Sequence, residues 1–134
     1  KYQHQLLFVG NSRRVYRKII KDLLPTSYDL AIYGSNWGEF VDKKYIIMVE
    51  RIDGNTIITT TDDVYQTSAS LAGIEEKLDK KVFMRCHKSY IINLTMISKN
   101  EVYGRWTYTV SLKNTDNTAL MTAQKYEEVK KLYE

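Results

Sequence analysis

The apolar positions change their period near residue 33. Upstream, Val15, Tyr16, Ile19, Ile20, Leu23 and Leu24 recur at helical spacing, with Arg13, Arg14, Arg17, Lys18 and Lys21 on the opposite arc. Ser12 is a suitable N-cap and Pro25 a suitable stop, so the spacing predicts a basic amphipathic helix over Ser12–Leu24. The loop-forming stretch "YGSNWG", Tyr33 to Gly38, marks an expected boundary between an N-terminal appendage, residues 1–33, and a main body, residues 34–134.

In that body the pattern is β. "YIIMVERI" and "TIITTT" flank Asp53-Gly54-Asn55, a strong hairpin signal, and Asp62-Asp63 turns the chain into "VYQT". Ser70 to Lys80 reads as a short helix with Leu71, Ile74 and Leu78 on one face. "VFMRCHKSYIINL" follows as one long strand or a strand pair. "EVYGRWTYTVSL", "NTDN" and "TALMT" then read as a last hairpin. Thr122 can cap a closing helix with Tyr126, Val129 and Leu132/Tyr133 buried, and Glu127 and Lys131 paired one turn apart. The expected fold is mainly β: antiparallel sheets, one internal helix, a C-terminal helix and an additional N-terminal one.

Composition narrows the class. The chain has 134 residues, which suits one compact body, and eleven tyrosines fit half-buried strands. One cysteine excludes an internal disulfide and favours a cytoplasmic setting, and no window is apolar enough to span a membrane. The net charge of +4 is unevenly placed: residues 1–24 carry +5, 25–80 carry −5, 81–113 carry +5 and 114–134 carry −1. On charge alone, a surface facing a polyanion and a set of scattered solvated charges fit equally well.

Chemistry concentrates in "FMRCHKSYIINL", Phe83 to Leu94, where the single Cys86 abuts His87. Neighbouring strand residues point to opposite faces, so the pair does not make a nucleophile and its base. One Cys and two His without nearby acids do not make a zinc site, and phosphate-loop and serine-elbow motifs are absent. Cys86 is expected to pack inward. A Lys88 in the same inward row cannot be buried unpaired, so pairing should end near His87, leaving His87, Lys88 and Ser89 on a polar bend. A cation, a hydroxyl and a switchable donor are groups that meet phosphates and base edges.

This stretch resembles the signature of the LytTR family of bacterial DNA-binding domains, aromatic-Arg-Cys/Val-His-Arg/Lys-Ser-aromatic-Ile/Val-Val/Ile-Asn, with Met84 inserted between the aromatic residue and the arginine. "YIIMVERIDGNTIITT", "YQTSASLAGIEEKL" and "VSLKNTDNTALMTAQKYEEVKKLY" resemble the family's opening hairpin, internal helix and closing strands in the same order, over roughly Gly34 to Glu134. The resemblance implies sequence-specific binding of double-stranded DNA by inter-strand loops, at direct repeats in promoters and with bending, to regulate bacterial transcription. It implies no enzyme activity, no cofactor and no metal. Carried over, the DNA contacts would be Asn55 and Thr56, then His87, Lys88 and Ser89, then Gln124 and Lys125. Lys88 stands where arginine is frequent and lacks the planar fork that reads guanine, and Gln124 departs from a basic consensus, so the preferred site is not implied.

Family members are most often response-regulator outputs of two-component systems. A dimer on DNA and an upstream receiver or regulatory protein are therefore the expected partners. The competing reading is a protein-interaction domain that uses the Arg13–Lys21 helix face and binds no DNA.

Overall fold

The computed structural model describes residues 29–33 and 37–134; the basic helix expected over Ser12–Leu24 lies outside them. Among the described residues, ten strands and two α-helices form three antiparallel sheets. A five-stranded sheet is the middle layer. Its spatial order is β5 (Val64–Thr67), β4 (Asn55–Thr60), β3 (Ile46–Ile52), β7 (Tyr90–Asn93) and β6 (Phe83–His87).

Strand β3 explains the layering. Ile46, Ile47, Met48 and Val49 are all fully buried, which alternation on a one-sided sheet would forbid. Ile46 and Val49 face a cluster with Leu30, Ile32, Val41, Leu71 and Ile74, whereas Ile47 and Met48 face Val110, Leu112, Ala119, Met121 and Val129. The first cluster is closed by the hairpin β1 (Asp29–Tyr33) and β2 (Gly38–Asp42) together with α1 (Leu71–Glu76). The second is closed by the sheet β8 (Ile97–Gly104), β9 (Thr107–Leu112) and β10 (Thr118–Thr122) together with α2 (Ala123–Leu132). A bulge between Ile46 and Met48 lets two consecutive residues serve one face.

The caps and turns follow local chemistry. Asp53 and Gly54 both have positive φ, 49° and 81°, the pattern of a type I′ hairpin turn. Ser70 Oγ accepts from the Gly73 amide at the start of α1, and Thr122 Oγ1 from the Lys125 amide at the start of α2. Asn93 is buried: its Nδ2 donates to the Ile46 carbonyl at 2.9 Å beside the bulge, while its Oδ1 accepts from the Thr95 amide and hydroxyl.

Several expectations are corrected. "EVYGRWTYTVSL" is not one strand: it turns at Arg105-Trp106, so β8 and β9 are separate antiparallel partners. The internal helix is shorter, ending at Glu76. On α2, Val129 is buried and Tyr126 packs against the core, but Leu132 and Tyr133 are exposed, because the helix is ending there. Glu127 pairs with Lys130 at 3.8 Å, not with Lys131. Strand β1 hydrogen-bonds β2 and gives Leu30 and Ile32 to the first cluster.

Replacing Asn93 by alanine strands the Ile46 carbonyl inside the bulge and removes a turn cap. Urea unfolding of Asn93→Ala should show a loss of about 2–4 kcal/mol. A loss within experimental error would mean that the bulge does not depend on this side chain.

Candidate nucleic-acid interface

The β6–β7 hairpin carries the signature stretch. Pairing is regular from Phe83 to Arg85 and then shifts, so that His87 rather than Cys86 opposes Tyr90. Cys86 is the extra residue, fully buried, with its thiol donating to the Leu120 carbonyl at 3.3 Å. Burial pushes that thiol up to about 12, against smaller opposing contributions from its own backbone hydrogen bond, Arg85 and Lys125. At neutral pH it is a packed thiol, not a nucleophile. The bulge ends the inward row, so Lys88 sits at the turn, exposed.

Arg85 holds this turn from behind. Its Nε donates to the His87 carbonyl at 3.1 Å, and its Nη2 to the Lys88 carbonyl at 2.6 Å. Its Nη1 pairs with Glu75 of α1 at 3.0 Å. His87 Nδ1 accepts the Ser89 amide at 3.1 Å, which leaves the proton of the neutral ring on Nε2 as a donor. The ring also meets Tyr90 edge-on at 5.6 Å. Burial, then Lys88 and Arg85, hold the imidazole below its ordinary pKa. Sequence reasoning gave Arg85 no site role. The available signal was an arginine just ahead of a turn, preceded by a helix ending in Glu75-Glu76.

The other expected positions differ in exposure. Asn55 is exposed where β4 begins, but Thr56, expected at the surface beside it, is fully buried. Its hydroxyl donates to the Ala69 carbonyl at 2.6 Å and accepts from Arg51 Nη1 at 2.6 Å. Thr56 therefore faces inward and bonds Arg51. The Arg51 backbone amide in turn donates to the Ser89 carbonyl at 2.9 Å, which brings the Asp53-Gly54 and Lys88-Ser89 turns to one end of the sheet. Gln124 is exposed in the first turn of α2. Lys125 is half-buried, ion-paired with Glu128 at 3.5 Å. It lines a cleft of about 260 Å³ with Phe83, Met84, Glu75, Glu128 and Arg85, the arginine that also holds the His87 and Lys88 carbonyls.

Among the described residues, no group of three His, Cys, Asp or Glu side chains is gathered for a metal ion. No described helix is long and apolar enough to cross a membrane. The profile of the LytTr DNA-binding domain family matches residues 39–134, and the chain belongs to that family, which is one of DNA-binding domains and not of enzymes.

Relatives include the transcriptional regulatory protein NatR of Bacillus subtilis, 36% identical over 93 residues, covering 69% of this chain and 40% of NatR. The sensory transduction protein LytT of Bacillus subtilis is 30% identical over 132 residues, covering 92% of this chain and 54% of LytT. The chain thus spans about half or less of these relatives. The LytTr DNA-binding domain of a Bacillus cereus protein described as a methyl-accepting/DNA response regulator superposes with a TM-score of 0.65 at 20% identity. That match covers 76% of this chain and 95% of the domain, and shows the shared fold.

Because His87 is depressed in the folded state, the unfolded chain binds a proton between about pH 6.5 and the folded value that the folded chain refuses. Stability should therefore be full above about pH 6.5, fall as pH drops through it, and level off below the folded pKa. Asn at position 87 can still accept the Ser89 amide but does not titrate. Urea unfolding from pH 8 to 5 should show a shallower acid loss in His87→Asn. Identical pH profiles in the two proteins would contradict this origin.

Proposed function

We propose that this chain is the DNA-reading part of a transcriptional regulator, and that it engages duplex DNA through turns rather than a recognition helix. Asn55 meets the duplex at the β3–β4 turn, His87, Lys88 and Ser89 at the β6–β7 turn, and Gln124 with Lys125 at the start of α2. Thr56 takes part indirectly, by fixing Arg51 behind the first two turns. The observation that carries this reading is Lys88: an exposed cation on a turn whose two flanking carbonyls are both held by Arg85. Among the described residues, no carboxylate pairs with it. A pre-positioned cation loses little freedom on meeting a base edge or phosphate.

The regulatory role is supported by the relatives named as transcriptional regulatory and sensory transduction proteins. Their greater length leaves room, in such proteins, for a signal-receiving part joined to this one. Two copies on paired direct repeats, with the duplex bent between them, would let each copy present the same turns. Gln124 suits adenine, whose N6 and N7 match an amide.

The test is selection of bound sequences from a randomised duplex pool, followed by footprinting and a salt series. The expected result is a footprint over paired repeats, with affinity that falls steeply as salt rises. On the selected site Lys88→Ala should weaken binding by about 1–3 kcal/mol. Unchanged affinity removes Lys88 from the interface. Failure to enrich any duplex sequence removes the reading itself.

A further inference from the structure

The β8–β9 hairpin ends in Tyr103, Gly104, Arg105 and Trp106, and its features are unexplained by the fold. Trp106 is 71% exposed and has φ 68°, so a bulky ring occupies a backbone conformation that glycine or asparagine normally fills. The exposed indole contributes little to folding and the positive φ disfavours it, and core packing offsets neither. What Trp106 gives the fold is its carbonyl, which accepts the Ala123 amide at 2.9 Å, and any residue would supply that. Val102 and Tyr103 beside it are exposed as well. A strained, exposed aromatic retained at a tip points to a partner.

The surroundings identify that partner. The Arg105 guanidinium lies over the indole, 5.9 Å from the ring centre, and among the described residues no carboxylate pairs with it. The nearest acid along the strand, Glu101, is taken by Lys99 at 3.4 Å. Through the Trp106–Ala123 hydrogen bond the tip adjoins Gln124 and Lys125. The tip thus adjoins the third contact of the proposed interface. An unpaired cation on an aromatic plate, continuous with that surface, complements a sugar–phosphate backbone better than an apolar protein face.

We infer that Arg105 and Trp106 form a fourth contact to the same duplex, with Arg105 on a phosphate oxygen and the Trp106 indole against the adjoining sugar. This rests on the DNA-reading function proposed above. It adds affinity without sequence information, since phosphate contacts fix register and not base identity.

The chain has two tryptophans, so Trp37→Phe leaves Trp106 as the sole tryptophan, excited selectively beyond the tyrosine absorption band. That variant is titrated with a mixed-sequence duplex of about 30 base pairs at several salt concentrations. Trp106 emission should change on binding. Arg105→Ala should weaken binding about three- to tenfold and flatten the salt slope by about one, whereas Arg105→Lys should keep the slope. Trp106→Asn should bind more weakly while melting no lower, because asparagine tolerates the left-handed backbone. Tight binding with unchanged slope in Arg105→Ala and silent Trp106 emission would overturn the fourth contact and leave the DNA reading intact. Emission that tracks protein concentration without DNA would overturn it in favour of a contact between copies. No binding by the unaltered chain would remove both.

Discussion

Everything in this molecule depends on keeping both faces of strand β3 out of water. Four consecutive apolar side chains, Ile46 to Val49, cannot be satisfied by one covering layer. The hairpin β1–β2 with α1 must close one side, and the β8–β10 sheet with α2 the other. Burying a side chain of this size contributes roughly 1.5–3 kcal/mol, so losing either layer would remove several times the benefit of any single cap or ion pair. The bulge that gives Ile47 and Met48 to the same face interrupts the ladder, and Asn93 supplies a donor to the carbonyl beside it.

The same packing positions the polar turns. Cys86 is drawn inward as the extra residue of a second bulge, which ends the β6–β7 ladder and releases Lys88 to the surface. Arg85 then acts as a strut between α1 and the turn, while Arg51 ties the turn to its neighbour across β3 and β7. Side chains that would meet DNA therefore stand on backbone fixed by buried or half-buried partners. In the proposed interface, such rigidity serves short hairpins as a recognition helix serves elsewhere, holding a few groups at set separations.

How legible this was depended on whether the cause was local. Asp53-Gly54 and Thr122 announce a turn and a cap through their own chemistry, and both appear where the sequence puts them. Cys86 packs inward because strand alternation and a bulge act over a few residues. The family signature in Phe83–Leu94 made the function class readable. What escaped was set by distant partners or by broken local rules. Thr56 looks like a surface threonine after a turn, yet Ala69 and Arg51 take its hydroxyl. The turn at Arg105-Trp106 was hidden because tryptophan is a poor residue for a positive φ, so twelve residues read as one strand. Leu132 continues the helical period but is the last residue of its helix and stays exposed.

The central claim is that one duplex spans the turns gathered at this end of the middle sheet. Amide chemical-shift mapping on titration with the selected duplex tests it most directly. Shifts should concentrate at Asn55, His87–Ser89, Arg105–Trp106 and Ala123–Lys125. The β1–β2 hairpin and the Asp62-Asp63 turn at the far end should stay unmoved. Shifts centred on Ala31, Phe40 or Asp62, with Lys88 and Gln124 unchanged, would contradict it.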